Sequence, residues 1–246
     1  MLVYNAFALL GCGAAIAYLV SRPSEVLPRW HRVLLPLSLF VLSRFGARFL
    51  YDIESGRNLH DWTYYFSFGR GSTSQFAGFY ASVLLLAAYA LTRRMSLLFL
   101  LDELVPAVPL AIAFGRLGCL YAGCCEGLLL SSKWTSWSVI PNPYNLPAPL
   151  FEAASALILF WLLRRLARGP LPVGYLTGYL LLFHGTSRFL LQFIRIEPNR
   201  WGPLTSTQVL AIPLIVAGAV LLDRSRAALS GQPLRHPELL SVRARG

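Results

Sequence analysis

Apolar blocks of about 20 residues recur along this chain, and a helix of that length matches a hydrocarbon layer of about 30 Å. Lipid offers backbone N–H and C=O groups no partners, so only helices or a closed barrel can cross it. The blocks are rich in Leu and Ala and lack the alternation of barrel strands, which selects helices. Seven spans can be drawn: Tyr4–Val20, Val33–Tyr51, Gln75–Leu91, Leu97–Leu120, Pro149–Leu163, Tyr175–Ile194 and Ser206–Leu222. The expected fold class is therefore all-α, a polytopic membrane helix bundle, with a membrane domain over 1–223 and a basic cytoplasmic tail over 224–246. Only 13% of the residues are charged, too few for a soluble domain of this length. The first block has no basic lead-in and no small-residue cleavage pattern, so it reads as a span, not a signal peptide.

The formal charge of +11 raises the possibility of nucleic acid, but its distribution argues against it. Nucleic-acid binders gather basic residues on one soluble face, whereas here they sit singly or in pairs between apolar blocks. Cytoplasmic loops attract Arg and Lys, and the bias sets orientation. One set of connections and the tail holds thirteen: Arg22, Arg29, Arg32, Arg93, Arg94, Arg164, Arg165, Arg168, Arg224, Arg226, Arg235, Arg243 and Arg245. The opposite set holds five: Arg57, Arg70, Lys133, Arg195 and Arg200. This predicts an outer N-terminus, a cytoplasmic C-terminus and two outer loops, His60–Ser74 and Tyr121–Ala148, rich in interfacial aromatics. No internal repeat of the kind that marks a secondary transporter is visible.

Ionised side chains inside apolar blocks are costly and mark pairing or function. Asp102 and Glu103, at the cytoplasmic start of a span, can be read as helix–helix glue paired with Arg, or as snorkelling groups. Arg48, Arg116, Arg188 and Arg195 all fall towards the outer ends of their spans, with only Glu126, Glu152 and Glu197 as nearby acids. An excess of guanidinium at one depth suits an anionic ligand, and a lipid phosphate fits because guanidinium can hold two phosphate oxygens.

The segment Phe114–Gly127 carries Gly115-Arg116, Gly118, Gly123 and Gly127 in the order G-R-x-G-x-x-x-x-G-x-x-x-G. It resembles the signature of bacterial prolipoprotein diacylglyceryl transferases, in a variant with Cys119 where the commoner form has Asn. Flanking segments agree in order. Gly46–Tyr51 is similar to G-[GA]-R-x-x-Y, Asp102–Ala107 to D-x-x-x-P-A, and Pro149–Glu152 to Q-L-Y-E. Arg188–Pro198 is similar to R-F-x-x-E-F-x-R-x-P, and Leu204–Gln208 with Ile212-Pro213 to the opening of the last span. The resemblance covers nearly the whole chain. It implies transfer of the diacylglyceryl group of phosphatidylglycerol to the thiol of a lipobox cysteine on a preprolipoprotein, in the inner membrane and without a cofactor or metal. Arg116 and Arg195 are then the expected catalytic pair on the phosphate. Arg48, Tyr51, Gly115, Gly118, Cys119, Gly123, Gly127, Glu152, Arg188 and Gln192 would line the substrate site. Monomer is the default state. A lipid-binding protein of the same fold, inactive or with another acceptor, is the alternative reading.

Two positions depart from the family pattern. Phe76 stands where the family has a histidine that could activate the thiol, and a phenyl ring takes no proton; His60 is the nearest substitute in sequence. Gln192 stands for the family's Glu and keeps hydrogen bonding without charge. The cysteines leave several readings open. Cys12 is a small packing residue. Cys119, Cys124 and Cys125 lack the second ligand pair and nearby His of a typical zinc site. They could pack, or Cys119 could form a disulfide with Cys124 or Cys125 in an oxidising compartment.

Overall fold

The computed structural model describes residues 2–24, 27–54, 65, 75–196 and 200–231. Eight helices are described in full, in order: α1 (Leu2–Ser21), α2 (Arg29–Glu54), α3 (Gln75–Thr92), α4 (Leu97–Leu104), α5 (Val108–Ala122), α6 (Ala148–Leu166), α7 (Tyr175–Leu191) and α8 (Ser206–Gly231). α4 and α5 occupy one predicted span. Pro106 and Pro109 cannot supply backbone donors, and the 3-10 turn Val105–Ala107 joins the two helices there. A second 3-10 turn, Gln192–Ile194, completes the span begun by α7. The fold is mostly helical, with one addition that periodicity did not predict: a ribbon of β1 (Arg200–Trp201) and β2 (Leu204–Thr205) turning at Gly202.

Among the described residues, three helical stretches are long and apolar enough to cross a membrane: Val3–Ser21, Leu97–Ala122 and Thr207–Ala227. α7 has only 17 residues, and α6 carries Glu152, Arg164 and Arg165. Large apolar side chains nevertheless face outwards on α3, α6 and α8, among them Leu84, Ile158, Trp161 and Val216. A helix apolar on its outer side as well as its inner one suits a lipid surround.

Neighbouring helices pack as α2 on α1 and α3, α5 on α1 and α6, α6 on α7, and α7 on α8. The α7–α8 contact is close because it is built on glycine. A Cβ on Gly218 would come within 2.4 Å of the Leu182 backbone nitrogen. Two apolar clusters anchor one end of the bundle. Ala15, Leu19, Leu35, Leu86, Leu100 and Leu104 join α1 to α4, and Val105, Leu159, Leu163 and Leu176 join the turn to α6 and α7.

Polar groups close that same end. Arg32 is buried and donates from Nε to the Leu27 carbonyl at 2.7 Å, from Nη2 to Ser24 at 2.9 Å, and from Nη1 to Leu19 at 3.3 Å and to Arg22. One guanidinium thus satisfies carbonyls that the end of α1 leaves without helical donors. Arg32, read from sequence as a topology signal, is a loop clamp as well.

Asp102 corrects an expectation. Among the described residues it pairs with no arginine. Its carboxylate accepts from the Gly174 N–H at 2.6 Å, the Thr177 N–H at 2.8 Å and the Thr177 hydroxyl at 2.6 Å. Asp102 caps α7 from a different helix, placing an anion against the positive end of the α7 dipole. At the other end, Thr205 and Gln208 form a capping box for α8. The Thr205 N–H donates to Gln208 Oε1 at 2.9 Å, and the Gln208 N–H to Thr205 Oγ1 at 3.3 Å.

Candidate active site

Opposite the apolar end, the final turns of α5 and α7 meet the first turns of α6. Arg116 and Arg188 approach the negative ends of their helices, and Glu152 lies near the positive start of its own, so each charge complements its helix dipole. Arg116 Nε lies 2.7 Å from Glu152 Oε2, and Arg195 Nη1 lies 3.0 Å from Oε1. Arg188 Nη1 also donates to Oε1. The carboxylate is 3% exposed and the three guanidiniums 14% or less. Among the described residues, three positive charges against one negative leave a net +2 in a nearly dry site, an arrangement that favours a further anion; Glu197 lies outside the described residues. The buried Arg195 Nε has no hydrogen-bond partner among the described residues.

Arg195 reaches this cluster from outside the helices. It follows the Gln192–Ile194 turn with extended backbone, φ −99° and ψ 149°. Its backbone pairs antiparallel with Gly127, and the Leu128 N–H donates to the Ile194 carbonyl at 3.0 Å. Gly127 also donates its own N–H to Leu146 at 2.9 Å. A Cβ there would lie 2.6 Å from the Ile194 oxygen and 2.7 Å from the Leu146 oxygen, so no other residue fits without moving the backbone. Beside it, Glu126 accepts from the Asn142 and Asn145 side-chain amides, tying down the loop between α5 and α6.

The signature glycines do different jobs. Gly118 lets α1 approach, since a Cβ there would lie 3.0 Å from the Phe7 Cβ and 3.3 Å from the Tyr4 ring. Gly123 ends α5 at φ +66°, the left-handed conformation that closes helices, and the Cys124 N–H returns to the Cys119 carbonyl at 3.0 Å. Gly115 faces open space.

The three cysteines of the segment converge on the same corner. The Cys119, Cys124 and Cys125 sulfurs all lie within 4.8 Å of one another, and all are free thiols. Cys125 adopts φ +62°, which a non-glycine residue rarely takes, and this turns the chain back on itself. Hydrogen bonds from Cys119 and Cys124 hold the Cys125 thiol below its ordinary pKa; burial opposes them, and Arg116 and Arg195 add to the lowering.

The structure brings Arg116, Glu152, Arg188 and Arg195 together, with Cys119 adjoining through Arg116. Gln192 is buried in the turn that leads to Arg195. Arg48 is buried on α2, whose main neighbours are α1 and α3, and its charge is felt by Arg44. The side chains of Tyr51 and Phe76 lie outside the described residues, as does His60. Sequence reasoning missed two residues. Tyr4 of α1 lies within electrostatic reach of both Arg116 and Arg44. His184, one turn before Arg188, interacts with Arg188 and Arg116. His184 could have been found by noting that i and i+4 share a helix face.

Residues 2–223 match the prolipoprotein diacylglyceryl transferase family. The chain belongs to that family. Among its relatives is the phosphatidylglycerol–prolipoprotein diacylglyceryl transferase of Pseudomonas putida, 27% identical over 247 residues, covering 89% of this chain and 87% of that protein. The proteins of the same name from Pseudomonas syringae pv. syringae and Pseudomonas fluorescens are 26% and 27% identical, each over 89% of this chain and 87% of their own. Family membership makes this a transferase fold of the membrane, and the arginine cluster sits on the segments that carried the resemblance.

Proposed function

We propose that this protein transfers the diacylglyceryl group of phosphatidylglycerol to the cysteine thiol of a prolipoprotein lipobox. The carrying observation is the buried cluster of Arg116, Arg188 and Arg195 around one carboxylate, whose surplus positive charge calls for an anion at that depth. A phosphatidylglycerol phosphate supplies it. The phosphate enters beside Glu152, with Arg195 Nε and the outward faces of Arg116 and Arg188 as donors. As the bond from the glyceryl carbon to phosphate oxygen breaks, negative charge grows on the departing glycerol phosphate. Fixed guanidiniums in a low-dielectric site stabilise that charge more than they stabilise the bound lipid, which is what accelerates the reaction. Gly115, facing open space, leaves room for the headgroup beside Arg116, and Gln192 and Arg48 bound the site more distantly.

The same reading places the chain in the bacterial inner membrane with seven spans. The α5–α6 loop and the arginine cluster would face the periplasm, and α8 would lead into the cytoplasmic tail. The loop surplus of basic residues supports this orientation.

Complementation tests it. A strain depleted of its own diacylglyceryl transferase receives the gene, wild type or Arg116→Ala, and lipoprotein mass is followed. Rescue by the wild type alone supports the reaction. Failure of the inserted wild-type protein to add diacylglyceryl rejects it and favours a lipid-binding role or another acceptor.

A further inference from the structure

Among the described residues, the transferase reading assigns none to one step. A thiol must become a thiolate to attack carbon, and Phe76 occupies the position of the family's candidate base. We propose that Cys119, Cys124 and Cys125 hold a zinc ion whose open fourth position takes the acceptor thiol and delivers it as thiolate. This inference rests on the proposed transfer and names how its nucleophile is made.

The geometry is that of a three-ligand site. The sulfurs lie within 4.8 Å of one another, and three thiolates at about 2.3 Å from zinc stand about 3.8 Å apart, so small side-chain rotations close the set. The backbone is arranged to bring them there. Gly123 ends α5 one turn after Cys119, and the left-handed Cys125 folds the loop back before Gly127 locks it to Arg195. No His, Asp or Glu joins the three sulfurs among the described residues, which leaves a coordination position open, as zinc keeps in catalytic sites. Cys119 is buried while Cys124 is exposed, so the opening lies on the loop side, where a peptide can arrive.

Charge agrees as well. A zinc tris-thiolate carries a net −1 and would lie beside the cluster of Arg116, Arg188 and Arg195. The acceptor S–H gives its proton to water on binding the ion. The sulfur then forms its bond to the glyceryl carbon as the carbon–oxygen bond breaks. The phosphate oxygen keeps the electron pair, and glycerol phosphate leaves towards the arginines. No oxidation occurs.

Cobalt reads the site without needing activity. The reduced full-length protein in detergent is titrated with Co2+ and followed by thiolate–cobalt absorption, with displacement by Zn2+. One cobalt per chain is expected, with the bands lost in Cys119→Ser, Cys124→Ser and Cys125→Ser while the Cys124→Ser and Cys125→Ser variants still bind phosphatidylglycerol vesicles. Chelation of the zinc-loaded wild type should lower transfer to a lipobox peptide at least tenfold, with zinc restoring it, and His184→Gln should leave the cobalt bands in place. Absent bands overturn the proposal, as do bands that survive in the Cys124→Ser variant. A Cys119 disulfide to Cys124 or Cys125, trapped in protein taken from membranes, also overturns it. Transfer that proceeds unchanged without metal rejects the activation role and leaves the transferase reading intact. Bands without transfer remove the same role, and the transferase reading falls with it.

Discussion

Gly127 and Arg195, 68 positions apart in sequence, pair backbone to backbone and so fix a loop arginine against a helix carboxylate. The helices supply Arg116, Glu152 and Arg188 on rigid elements. Arg195 sits on an irregular stretch and needs this outside support to reach Glu152. Gly127 is therefore a positioning residue. Gly127→Ala would push a methyl group against two carbonyl oxygens, at a cost of about 1–3 kcal/mol. Thermal unfolding in detergent should fall, and transfer should fall further than stability alone explains, because Arg195 moves with the loop.

Glu152 is the hub of the cluster. Glu152→Ala leaves three buried guanidiniums with no counter-charge, and loss of one partner from a buried network costs about 3–5 kcal/mol. An anionic lipid should restore part of what is lost, since a ligand that binds only the folded state stabilises it. The expected result is a lowered Tm that rises with phosphatidylglycerol and not with a zwitterionic lipid, measured by unfolding in mixed micelles. Equal recovery with both lipids would contradict a phosphate site here.

Arg195→Lys separates charge from shape. Lysine keeps the charge and loses the planar fork that can hold Glu152 and a phosphate together. Transfer should drop by about 10²–10³-fold, the loss seen when one donor to developing charge is removed. Lipid binding should weaken far less. A comparison of kcat with KM on phosphatidylglycerol vesicles checks this.

Much of this arrangement was legible in the sequence. Hydrophobic blocks of membrane length located the helices within a few residues, except that α8 runs on to Gly231, past the predicted end at Leu222, and arginines at one depth marked three side chains that meet at Glu152. What could not be read were relations between distant segments. Asp102 lies 75 positions from Thr177, and only packing of α4 against α7 shows that it caps a helix and pairs with no arginine. The meeting of the three sulfurs could not be read either, because linear spacing does not show a left-handed residue folding Cys125 back towards Cys119. Arg32 read as a topology mark because charge bias carries no information about which carbonyls it meets.

Asp102 offers a test of the fold apart from the chemistry. Asp102→Ala removes the acceptors of three hydrogen bonds at the start of α7 and should cost about 1–2 kcal/mol, the usual range for a lost helix cap. Asp102→Asn keeps the oxygen acceptor and should cost less. Both should lower the unfolding temperature while leaving the dependence of rate on phosphatidylglycerol concentration unchanged, because the cap lies at the end of the bundle away from the arginines.

The arginine cluster is expected to cleave a phospholipid for a thiol acceptor. The most direct measurement mixes purified protein with phosphatidylglycerol and a lipobox peptide, following glycerol phosphate and peptide mass together. The account predicts equal amounts of glycerol phosphate and diacylglyceryl peptide, no product with a Cys-to-Ser peptide, and almost none with Arg116→Ala or Arg195→Ala. Lipid that binds to the wild-type protein and is never cleaved, or cleavage that ignores the peptide thiol, would contradict it.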